Sequence, residues 1–182
     1  ALSYYKKSIE IAEEIGDLFL VASNYNNIGA ILKINKPDEA IEYFNKAISI
    51  YEDIGDKASI ATCYNNLGIL YSIHEDYNKS EQYFLSALEI KRQNNNRHGE
   101  AISLNNLAHL YYSKATEIAS KEKQRTLLNK SVDFAQKSLE LSDYVKSIYT
   151  INNSYGILTQ TYSNLNINDS TLKYQSLFLK TK

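Results

Sequence analysis

Asparagine pairs recur along this chain at a nearly fixed interval. Asn26-Asn27 lies within Tyr25-Asn26-Asn27-Ile28-Gly29, and Asn65-Asn66 within Tyr64-Asn65-Asn66-Leu67-Gly68, 39 residues later. Asn105-Asn106 follows within Leu104-Asn105-Asn106-Leu107-Ala108 after 40 more, and a fainter copy reads Asn152-Asn153-Ser154-Tyr155-Gly156. A carboxamide offers both donors and an acceptor, which is the complement of peptide backbone. Amides spaced one unit apart can hold an extended peptide by its main chain without reading its charge. The same amides can instead fasten one structural element to the next.

Other chemistry is sparse. There is no nucleophile elbow, phosphate loop, zinc pair or dinucleotide fingerprint, so the chain reads as a non-enzyme without a cofactor. Carboxylates such as Glu13-Glu14, Asp38-Glu39 and Glu52-Asp53 fall on helix faces that read as solvated. His74 and His98 have no partner at metal-ligand spacing, so no metal is expected. Cys63 is the only cysteine and reads as a small apolar core residue. The sixteen tyrosines read as packing residues. A net charge of −1 lacks the basic surface that phosphate neutralisation requires, which argues against nucleic acid as partner. No apolar run approaches the ~20 residues that span a bilayer.

The amides sit in a repeating frame. A second phrase keeps the same beat: Ser8-Ile9-Glu10-Ile11, Ala47-Ile48-Ser49-Ile50, Ala87-Leu88-Glu89-Ile90 and Ser138-Leu139-Glu140-Leu141. A fixed period in this range means stacked units rather than one globular core. Within Ala61–Gln93 two helical patterns flank a break at His74-Glu75-Asp76, with Asp76 as cap of the second. Gly16 and Gly55 suit left-handed helix ends, Asn94-Asn95-Asn96 does the same work at the third junction, and Pro37 suits a first helical position. Gly29, Gly68, Ala108 and Gly156, facing Ala40, Ser80 and Ser131, predict close helix approach, with Phe44, Phe84 and Phe134 filling beside them. Glycine inside a helix costs ~1 kcal/mol against alanine, so its return implies a packing need. The spacing from Leu88 to Leu139 is 51, eleven more than the preceding repeat. These residues are expected to lengthen a helical hairpin, with 115–121 extending its first helix and 122–129 its second; the alternative is a surface loop.

Together these patterns predict an all-α chain of about nine helices: a lone second helix at 1–15, then four pairs over 18–56, 57–96, 97–143 and 144–182, forming one array over 1–182. A chain that opens on half a unit implies either further residues upstream or a capping role for that helix.

The pattern resembles the tetratricopeptide repeat. The second unit carries Leu67, Gly68, Tyr71, Tyr77, Ser80, Phe84, Ala87 and Leu88 at the family's spacing. The first full unit carries Ile28, Gly29, Ala40, Phe44, Ala47 and Ile48, one residue short in its turn. The third carries Leu107, Ala108, Tyr111, Ser131 and Leu139, and the fourth Tyr155, Gly156 and Tyr174 more weakly. The ~40-residue period with Gly-Asp junctions is similar to a subset that includes bacterial signalling regulators and kinesin-light-chain-like adaptors. The resemblance implies a right-handed α-α superhelix that binds a protein or peptide. It further implies the regulatory or sensory array of a larger bacterial transcription regulator or histidine kinase. The alternative is a sensor of a small molecule or signalling peptide that changes superhelical pitch. A cytoplasmic place is expected, or else the periplasmic sensor region of a membrane-anchored protein. End-to-end self-association is a further expectation.

In this family the first helices line the concave side. Groove positions then fall at Ser23, Asn26, Asn27, Ala30 and Lys33; at Thr62, Asn65, Asn66, Ile69 and Ser72; at Ile102, Asn105, Asn106, His109 and Tyr112; and at Thr150, Asn153, Ser154, Ile157 and Gln160. The resemblance implies that Asn26, Asn27, Asn65, Asn66, Asn105, Asn106 and Asn153 grip a ligand's main chain, with Lys33, Ser72, His109 and Tyr112 as further contacts. A scaffold role stands open for the same asparagines. A lysine-and-arginine clamp for a terminal carboxylate is disfavoured, since Lys33 is the only basic residue among these positions.

Overall fold

Helix starts and stops are set locally. Asp17 Oδ1 accepts from the Leu20 amide at 2.9 Å, Asp56 Oδ1 from Ser59 at 3.0 Å and Asn96 Oδ1 from Gly99 at 2.8 Å. Asp76 Oδ1 accepts from Lys79 at 3.2 Å, and Pro37 stands in a first turn. Each removes an unpaired donor from a helix start. At the opposite ends the chain turns through a left-handed residue: Gly16, Gly55, Glu75, Asn95, Lys146 and Asn166 all have positive φ. The amide after each reaches back five residues, as in Asp17 to Ala12 (2.8 Å), Asp56 to Tyr51 (2.8 Å), Asp76 to Tyr71 (2.9 Å) and Ser147 to Ser142 (2.9 Å). These are Schellman closures. The turn after Thr116 lacks such a residue, and so does the turn after Leu32. There Lys36 reaches back only four residues, to the Leu32 carbonyl, which accounts for the one-residue shortening of that unit.

A computed structural model describes residues 2–181; Ala1 and Lys182, the ends of the expected array, lie outside the described residues. Among the described residues there are nine helices and no strand: α1 (Leu2–Glu14), α2 (Leu18–Leu32), α3 (Pro37–Asp53), α4 (Lys57–Ile73), α5 (Tyr77–Gln93), α6 (Arg97–Thr116), α7 (Lys121–Tyr144), α8 (Ile148–Asn164) and α9 (Asn168–Lys180). The chain divides into two compact units at Ile90/Lys91.

In the first unit, Ile9, Val21, Ile28, Phe44, Leu67 and Leu70 form one core, and Ala22, Ala47, Tyr51, Ile60 and Cys63 form another. Burial pushes the Cys63 thiol up to about 12, with help from the Asp56 charge, which leaves it an inert core residue. The close-approach glycines behave as expected at two places. A Cβ on Gly29 would lie 2.8 Å from Phe44, and one on Gly68 would lie 2.5 Å from Phe84. Ser80 Oγ then donates to the Gly68 carbonyl at 2.8 Å.

In the second unit α6 packs on α7, α7 on α8 and α8 on α9. The positions of Gly68 and Phe84 are held here by Ala108 and Ala135, both fully buried. The large ring is gone and the small residue opposite gains a methyl, so the volume is shared differently between the same two helices. Ser131 Oγ still donates to the Ala108 carbonyl at 2.8 Å.

The eleven additional residues divide unequally. Against the 17-residue helices of the preceding pair, α6 gains three, α7 gains seven and the turn gains one. The expected helical extension of 115–121 is therefore corrected: α6 ends at Thr116 and α7 opens at Lys121. Ser120 caps α7 by accepting from Lys123, and Gln124 Nε2 donates to the Ala115 carbonyl at the end of α6.

Gly68→Ala is expected to lower stability by about 1–3 kcal/mol through overpacking, despite alanine's better helix propensity. Phe84→Ala should cost about 3–5 kcal/mol. The double variant, which reproduces the Ala108/Ala135 pairing, should cost at least about 1 kcal/mol less than the sum. Urea denaturation of the four proteins reads this directly. Strict additivity would show that the glycine is not there for the ring.

Candidate peptide-binding face

The register of the fourth helix pair decides which residues share a face. Helix α8 opens at Ile148, 51 residues after α6 opens at Arg97. Ring packing confirms that count. Tyr64–Tyr83 and Tyr71–Tyr83 pair at 5.7 and 5.5 Å, and Tyr155–Tyr174 and Tyr162–Tyr174 repeat them at 6.1 and 5.6 Å. Gly156 therefore occupies the place of Asn105, and Thr159 that of Ala108. The expected match of Asn152–Gly156 to the earlier asparagine motif is out of step by three residues. Three residues are almost one helical turn, so Asn153 keeps to the same face one step earlier, at the place of Ile102.

The amides of the first unit are partly spent on each other. Asn66 of α4 donates through Nδ2 to Oδ1 of Asn26 on α2 at 2.9 Å. Asn27, Asn65 and Ser72 are half-buried. Lys33, at the end of α2, is half-buried, and desolvation holds its ammonium below its ordinary value. Its carbonyl accepts from His74 Nε2 at 3.0 Å.

In the second unit Asn105 is committed at both ends. It is 5% exposed, it donates to the Thr150 carbonyl at 3.1 Å, and its Oδ1 accepts from Ser154 Oγ at 2.9 Å. Asn105 is thus a fastener between α6 and α8, a correction to its expected role as a ligand contact. Thr150 and Ser154 are fully buried in the same joint and are not groove residues. Their hydroxyls belong to a buried polar seam: Ser138 Oγ donates to the Ala101 carbonyl at 2.8 Å, and Ser154 Oγ lies 3.3 Å from Ser138 Oγ. Tyr112 is half-buried and its hydroxyl accepts from Asn164 at 3.3 Å, which turns it to a different neighbour from His109.

Next to this seam is an open recess of about 290 Å³. Asn105, Asn106 and His109 of α6 stand on one side of it, Asn153 and Gln160 of α8 on the other, and Gly156, Ile157 and Phe178 complete it. Asn153 is exposed and Asn106 half-buried. His109 keeps an exposed ring surface, yet desolvation lowers its pKa from the ordinary histidine value, so at neutral pH it is an uncharged imidazole. The recess thus joins amides and a neutral imidazole to an apolar floor. Of its residues, Asn105, Asn106, His109 and Asn153 were anticipated as site residues. Gly156 was anticipated for packing, and Phe178 was not anticipated at all. Counting 51 residues on from Asn105 is the sequence signal that would have found Gly156. Among the described residues no group of three or more His, Cys, Asp or Glu side chains could hold a metal ion. No helix there is long and apolar enough to cross a membrane.

The family model of the tetratricopeptide repeat matches residues 1–53, 36–93 and 59–127. The chain belongs to the tetratricopeptide repeat family. It is similar to the crystal structure of BtubC (BKLC) from P. vanneervenii, with a TM-score of 0.72 and 19% identity, over 98% of this chain and 70% of that one. No curated protein matches. At that identity the likeness establishes an all-α repeat fold. Repeats of this family make the chain a protein-interaction scaffold, with protein or peptide as the class of partner.

Asn105→Ala should cost about 1–3 kcal/mol, because it removes two buried hydrogen bonds, one to the Thr150 carbonyl and one from the Ser154 hydroxyl. Asn153→Ala should change stability by no more than about 0.5 kcal/mol. Urea unfolding separates the two. His109 should titrate by NMR with a midpoint below about 6.5. Its lowered value favours the uncharged form in the fold. That contribution is complete above the unfolded value and is lost as pH falls through the folded one.

Proposed function

We propose that this chain binds an extended peptide segment on its first-helix face, and that the recess between α6 and α8 is the principal contact point. The observation that carries this reading is the composition of the recess: exposed or half-buried amides of Asn106 and Asn153, with Gln160, surround an apolar floor. Such amides match the alternating donors and acceptors of a peptide main chain, and the floor matches one side chain. In the first unit, Asn26 and Asn66 brace each other. The wider role, as regulatory array of a larger bacterial signalling protein, is supported by the family resemblance alone.

The test is selection of 12-residue peptides from a displayed random library on the purified chain. Affinities are then measured for Asn106→Ala, Asn153→Ala and Gln160→Ala. Each lost neutral hydrogen bond should weaken binding by about two- to tenfold, while the thermal melt of Asn153→Ala stays in place. Selected peptides that ignore all three substitutions would refute the assignment.

A further inference from the structure

Glycine in mid-helix needs a reason, since its greater backbone freedom weakens a helix against alanine. Gly29 and Gly68 have one: Phe44 and Phe84 lie where a Cβ would go. Gly156 has none of that kind. A Cβ built on it would meet Phe178 at 3.4 Å as its nearest neighbour, an ordinary contact, and its backbone is not among the positive-φ glycines. Neither packing nor conformation excludes alanine. What the missing side chain does is leave space on the wall of the recess, between Asn153 one turn before and Gln160 one turn after.

The recess also lacks formal charge. Its lining is built of amides, an imidazole, Ile157, Phe178 and Gly156, with no Asp, Glu, Lys or Arg. A carboxylate or ammonium entering it would lose part of its water without meeting a counter-charge. An apolar side chain would gain by contact with Ile157 and Phe178 while its flanking main chain meets the amides.

We propose that Gly156 is a specificity residue, kept bare so that the recess admits one uncharged apolar side chain of the bound peptide. This rests on the peptide-binding reading above and adds to it the chemical class of the anchor.

The experiment uses the whole chain and the displayed peptide library. Selected peptides should share a Leu, Ile, Val, Met or Phe at one place, with affinity nearly independent of salt. Gly156→Ala should melt at the same temperature or higher, yet bind these peptides about tenfold more weakly, the scale of a modest overpacking penalty. The same substitution should have little effect on a peptide whose anchor is replaced by alanine. That coupling, with stability and binding moving in opposite directions, is not produced by a structural role. An anchor of Asp, Glu, Lys or Arg would overturn the proposal while leaving the binding face intact. So would a Gly156→Ala variant that binds normally while Asn153→Ala does not, or one that loses stability. Failure to select any peptide, or binders indifferent to Asn106, Asn153 and Gln160, would defeat the binding reading and this proposal with it.

Discussion

Most of what this chain positions depends on one local constraint: the short turn closed by a left-handed residue and a bond reaching back five positions. That closure leaves three residues between most successive helices. Where the next helix resumes, and so which way each side chain faces, follows from the count. The cost is visible at Glu75 and Lys146, which adopt positive φ without glycine's freedom. A left-handed conformation costs such residues roughly 1–2 kcal/mol. They hold it because the turn satisfies two carbonyls at the helix end.

With register set, the two units solve helix contact differently. The first uses apolar packing, with Ala47 and Cys63 in one cluster and rings set against glycines. The second uses a seam of hydroxyls and one amide, in which Asn105, Ser131, Ser138 and Ser154 each have hydrogen-bond partners while buried. A satisfied buried network specifies geometry, and a half-satisfied one is costly. This is why Asn105 is best understood as structure even though it stands in the row that also supplies Asn65. Identical residue types at equivalent positions serve different ends once their neighbours differ.

The sequence made the helices, their caps and the close approaches at Gly29 and Gly68 legible, because each rests on local chemistry or on strict repetition. The run Asn94-Asn95-Asn96 was readable as a left-handed turn for the same reason, and the structure places that conformation at Asn95. The fourth unit was misread by three residues because a short Asn-Asn-x-x-Gly match competed with helix length, and the insertion in the third unit hid the true count. The division of that insertion was hidden too, since Lys- and Glu-rich sequence supports helix on either side of Ser120. Which amides bond inward could not be read at all. Asn105 is spoken for only because Thr150 and Ser154 face it, and nothing in its own local sequence says so. The recess inherited both limits. His109 and Asn153 were anticipated from the repeat, whereas Gly156 acquired its place only from the corrected register.

If the amides and bare wall between α6 and α8 form a peptide-binding face, NMR shift mapping with one selected peptide will show shifts centred on Asn106, His109, Asn153 and Gln160, with the His109 ring among the largest. Shifts centred instead on the tyrosine-lined groove of α3 and α5, at Asn45, Gln82 and Tyr83, would contradict it.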